Sequence, residues 1–142
     1  MRYGLVVCLM LVSVVAYAGK RSALTPEQHN YITALPNIPT EFEVPKQEAD
    51  DAWARAQTFI AEHSPLRIQT ASDYIVETYK PMDLKALYGY RVARTPAGDA
   101  YQFKVTCVGL TRSVASNARM NAHILANYIK TGNLPYPELI NK

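Results

Sequence analysis

Nucleophilic catalysis needs a thiol or hydroxyl beside a base, and this sequence offers one pair of that kind, Cys107 and His123. A strand ending near the thiol and a helix carrying the imidazole could bring the two together as nucleophile and base of a small hydrolase. Such chemistry also needs a cation or helix N-terminus beside the sulfur to hold it as thiolate. Cys107 instead alternates in phase with Phe103 and Val105, the pattern of a side chain turned into a core, where cysteine is inert. His29, His63 and His123 each stand alone, with no second histidine or carboxylate one turn away on the same face, so no metal site is expected. Asp50-Asp51 and His63-Ser64 read as helix-end residues that favour the dipole or cap. The nucleophile elbow Gly-x-Ser-x-Gly, the zinc pattern His-Glu-x-x-His, Cys-x-x-Cys and the phosphate and dinucleotide loops are all absent, and six glycines in the chain exclude glycine-rich cradles. No catalytic residue and no cofactor is assigned.

Binding has better material. Arg67, Gln69, Arg91, Gln102 and Lys104 fall on strand positions opposite the apolar phase, with Tyr79 and Tyr88 or Tyr90 close by, so a polar, basic sheet face is expected. Tyr136, between Pro135 and Pro137, is the expected exposed anchor of the tail. Charge is unevenly spread: residues 63–142 hold ten basic against five acidic side chains, and residues 19–62 hold four against seven. The partner expected is a protein or an anionic polymer of the cell envelope rather than nucleic acid.

The elements that position these residues follow from periodicity. Residues 1–18 read as a signal peptide, with Arg2 as its basic start, an apolar run from Leu5 to Val15, and Ala16-Tyr17-Ala18 before a cut. Cleavage there removes Cys8 and lowers the formal net charge from +3 to +2. Cys107 is then the only cysteine, so no internal disulfide can form, and no later segment is long and apolar enough to span a bilayer. Residues 19–39 form an extension with one short helix, opened by the capping box Thr25-Pro26-Glu27-Gln28 and ending near Leu35. Residues 40–142 form a single domain. Pro39 and Pro45 confine Thr40 to Val44 to an extended segment or edge strand. Ala49, Ala52, Trp53, Ala56, Phe59 and Ile60 make the apolar stripe of a helix from Gln47 to about Glu62, stopped by Pro65.

Beyond Pro65 the period changes to two, giving strands at Leu66–Thr70, Tyr74–Tyr79, Leu87–Arg94 and Ala100–Val108, the last pair joined at Thr95-Pro96-Ala97-Gly98-Asp99. A helix from about Ser113 to Lys130, stopped by Gly132, leads to a proline-containing tail that should dock, since Leu134, Tyr136, Leu139 and Ile140 are costly to leave in water together. The fold expected is α+β: an antiparallel four-stranded sheet with one face covered by two main helices, plus the short N-terminal helix.

Glu41-Phe42-Glu43-Val44, Trp53-Ala54-Arg55-Ala56, Ile68-Gln69 and the strand pairs to Val108 resemble secreted bacterial domains with a TBP-like α+β fold, over residues 40–110. The resemblance implies a fold class and carries no catalytic signature. The expectation is an exported, non-enzymatic binding or accessory protein of the bacterial cell envelope, periplasmic or secreted. The alternatives are the small hydrolase using Cys107 and His123, and a secreted inhibitor of a hydrolase.

Overall fold

The computed structural model describes residues 23–142, so the signal-peptide expectation for residues 1–18 lies outside the described residues. The capping box forms as the sequence requires: the Gln28 N–H donates to Thr25 Oγ1 at 3.2 Å and the Thr25 N–H to the Gln28 side chain at 3.0 Å. It opens α1 (Pro26–Ala34), none of whose residues is buried. The chain is anchored just beyond, where Leu35 is 1 % exposed in a single 3-10 turn.

The extended segment flanked by prolines is a full member of the sheet, which therefore has five strands rather than four. β1 (Glu41–Pro45) pairs antiparallel with β5 (Ala100–Gly109), and between them in sequence come α2 (Ala49–His63), β2 (Ile68–Ala71), β3 (Ile75–Thr78) and β4 (Tyr88–Ala97). The spatial order is β1-β5-β4-β3-β2, antiparallel throughout. Pro45 costs β1 nothing because the strand lies at the sheet edge. Pro96, expected in the turn, lies within β4: alternate amides such as Arg94 N–H point toward β3, and at Pro96 that strand has ended. The turn itself is only Gly98-Asp99, with Gly98 at φ +63, a conformation open to a residue without Cβ.

α2 and α3 (Ala115–Thr131) cover one face. Trp53 and Phe42 meet Phe103 with centroids 6.2 and 5.7 Å away, while Phe59 packs edge-on against Tyr90 at 5.9 Å. Arg55 of α2 donates twice to the Ile129 carbonyl, at 2.8 and 2.6 Å, meeting an orphan acceptor at the end of α3, and Gly132 then closes the helix at φ +71. Arg94 breaks the rule that charge faces water. Its guanidinium lies on the core side between the rings of Trp53 and Tyr101, at 4.9 and 5.1 Å, and donates to the Asp73 carbonyl and the Asp50 carboxylate at 2.6 and 2.8 Å.

The tail docks as its apolar residues demand, with Leu139 buried. Asn141, at φ 63, is its polar hub. Its Oδ1 accepts from Tyr90 Oη at 2.6 Å, its Nδ2 donates to the His63 carbonyl at 2.6 Å, and its N–H donates to Asn121 Oδ1 at 3.1 Å. One residue thereby joins α2, the sheet and α3. Among the described residues no helix is long and apolar enough to cross a membrane.

Candidate functional site

With the helices on one side, alternation leaves the other face of the sheet to solvent. β4 presents Gly89, Arg91, Ala93 and Thr95 there, and β5 presents Gln102, Lys104, Thr106 and Val108, paired Gly89 to Val108, Arg91 to Thr106, Ala93 to Lys104 and Thr95 to Gln102. Ala93 is short enough to leave a depression of about 270 Å³ bounded by Arg91, Lys104 and Thr106. A second, of about 130 Å³, adjoins it between Arg91, Thr106, Val108 and the Tyr79-Lys80 backbone. Gly89 permits that arrangement, because a Cβ there would stand 3.0 Å from the Tyr79 carbonyl and 3.1 Å from Pro81 Cδ. The chain leaving β3 can therefore lie close over the end of the sheet.

The expected basic face is charge-compensated. Lys104 pairs with Glu41 of β1 at 2.5 Å and Arg91 with Glu77 of β3 at 3.6 Å, so carboxylates from both flanking strands border the central cations. Exposed pairs of this kind contribute about 0–1 kcal/mol each and leave little net field to attract a polyanion.

Of the sequence-predicted residues, Arg91, Gln102 and Lys104 come together on this face. Arg67 precedes β2, where its carbonyl accepts the Tyr79 N–H at 3.1 Å, and Gln69 stands at a register irregularity of that edge strand. Tyr136 is not the exposed anchor expected: it is half-buried, its ring 5.3 Å from Tyr31, because Leu139 draws the tail onto the core. Tyr88 and Tyr90 do not reach this face either, since they share the phase of Val92 and are 2 % exposed on the helical side.

The sequence reading missed the apolar rim of the face. Met82 is 88 % and Leu84 82 % exposed in the β3–β4 connection, with Tyr79 and Val108 about half-exposed beside the smaller depression. The signal was available: two large aliphatic residues in a Pro- and Asp-containing connection that has no strand pattern to bury them.

Cys107 and His123 belong to different networks. The thiol faces Asn121 and Tyr90, and burial pushes its pKa up to about 12, against the pull of those two hydrogen bonds. Burial likewise raises the Tyr90 phenol, with Cys107 and Tyr88 adding to it. A thiol so held, half-buried against the core, is neutral with negligible thiolate at pH 7. His123 bonds through Nδ1 to the Ile38 carbonyl at 2.7 Å. His63 packs on Phe59 at 4.8 Å between ring centroids, and His29 is exposed. No group of three or more His, Cys, Asp or Glu side chains gathers among the described residues. No family model, no curated protein and no solved structure matches the chain.

Proposed function

We propose that the protein is an exported, non-enzymatic binding module of the bacterial envelope that docks a protein partner on the open face of its sheet. The observation that carries this reading is the exposure of Met82 and Leu84, 88 % and 82 %, in the connection whose Tyr79 carbonyl and Pro81 lie close over Gly89 of the open face. Large apolar side chains grouped next to a polar face are what protein interfaces use, with methionine and aromatic residues enriched at their centres. The compensated charges of Arg91 and Lys104 favour a protein surface of mixed polarity over an anionic polymer. Export rests on the leader-like pattern of residues 1–18 and on the resemblance of residues 40–110 to secreted domains.

The neutral, half-buried thiol of Cys107 and the separate bonding of His123 speak for binding over hydrolysis. Affinity capture from an envelope extract, with the protein and its Met82→Glu/Leu84→Glu variant compared at high salt, tests the reading. A protein retained by the first and lost by the second is expected. Equal retention by both would remove this face from the function.

A further inference from the structure

On the helical side, Leu35 and Pro36 of the 3-10 turn after α1 and the outer surface of α3 leave a groove of about 450 Å³. Its volume falls in the range of small-molecule pockets, roughly 300–1,000 Å³, and so does its chemistry: mostly apolar, with few polar groups. Ile32, Pro36 and Met120 provide the apolar surface over the buried Leu35, and the polar side is made by Ser116, Asn117, Arg119 and His123 of α3, the last two four residues apart.

We propose that this groove binds a small amphipathic carboxylate, its apolar body along Ile32, Pro36 and Met120 and its head group held by Arg119 and His123. Charge selects an anion. The chain has no Asp or Glu between residues 100 and 137, so α3 carries cations alone, and Arg119 makes no ion pair among the described residues. A single guanidinium fork matches the two oxygens of a planar carboxylate. His123 is fixed for a second contact: a carbonyl only accepts, so the bond to Ile38 places a proton on Nδ1. Its Nε2 bonds no described residue, and the ring lines the groove. As imidazolium the ring donates from Nε2 to the carboxylate. The apolar body is selected by the groove walls, which give a head group alone nothing to bury.

The test is titration of the protein with decanoate, decanol and acetate, followed by two-dimensional amide NMR, all below the concentration at which decanoate self-associates. Decanoate is expected to shift the amides of Leu35, Met120 and His123 saturably, to bind at least about tenfold more tightly than decanol, and to be mimicked by acetate not at all. Arg119→Gln, at an exposed position where folding is not at stake, is expected to weaken decanoate about tenfold and leave decanol unchanged. Equal affinity for decanoate and decanol, an unaltered affinity in Arg119→Gln, shifts centred on the sheet face, or no saturable shift at all would each overturn the proposal. None of these results bears on partner docking at the sheet, which shares no residue with the groove.

Discussion

Replacing Asn141 with glycine isolates the polar hub of the tail, because glycine keeps the φ of 63 without strain and removes only the side chain. Three groups then lose a partner: the Tyr90 hydroxyl, the Asn121 amide and the His63 carbonyl, now bonded at 2.6, 3.4 and 2.6 Å. Tyr90 is 2 % exposed and Asn121 fully buried, so water does not reach them in place of the lost bonds, whereas His63 is only half-buried and its carbonyl can be rehydrated. The Tyr90 hydroxyl and the Asn121 amide N–H keep only the weak contact with the Cys107 thiol, so at about 1–3 kcal/mol for each buried group left under-satisfied, and little for His63, the expected loss is about 2–4 kcal/mol. Urea unfolding followed by the fluorescence of Trp53, the only tryptophan, measures it directly. For a domain of this size the same change lowers Tm by roughly 6–15 °C. A loss below about 1 kcal/mol with an unchanged m-value would refute the claim that this network is sealed from water and that the tail is part of the core.

Three further outcomes follow from the same geometry. The thiol of Cys107 has a higher pKa folded than unfolded, so its contribution is complete below pH 9.0 and is lost as pH rises toward about 12. By pH 10.5 the protein should lose about 2 kcal/mol more stability than Cys107→Ala, measured by urea unfolding at each pH, and native Cys107 should resist alkylation at pH 8 until the chain unfolds. Arg94→Met should cost about 2–4 kcal/mol in the same assay, from the lost bonds to Asp73 and Asp50 and the stacking on Trp53 and Tyr101. The exposed Asp50 carboxylate is rehydrated, which keeps the cost below that of a pair broken in full burial. Met82→Glu/Leu84→Glu should leave stability within about 0.5 kcal/mol of the parent, since both side chains are in water already.

Local rules made most of the fold legible. The Thr25 capping box, the apolar stripe through Trp53 and Phe59, the alternation from Tyr101 to Cys107 and the stop at Gly132 each need only neighbours in sequence, and each is found where it was expected. Partnership across the chain was harder to read. The segment from Glu41 to Pro45 becomes a strand because β5, far away in sequence, offers it an edge. Tyr88 and Tyr90 share a phase with Val92 but also with Arg94, and a guanidinium in that phase argues for solvent until Trp53 and Tyr101 are seen to enclose it. Three of the six proposed binding residues are brought together because they obey the strand period. Tyr136 failed because its exposure depends on where Leu139 docks, and Met82 and Leu84 were missed because no periodicity says how a connection lies on a sheet.

The claim that the open face is where this protein meets its partner is tested most directly by a photo-crosslinking amino acid placed at Met82, on the rim of that face, and separately at Glu62, exposed on α2 on the opposite side. In envelope extract the account predicts one discrete adduct from position 82, competed away by unlabelled protein but not by Met82→Glu/Leu84→Glu, and none from position 62. The same adduct from both positions, or none from position 82, would contradict it.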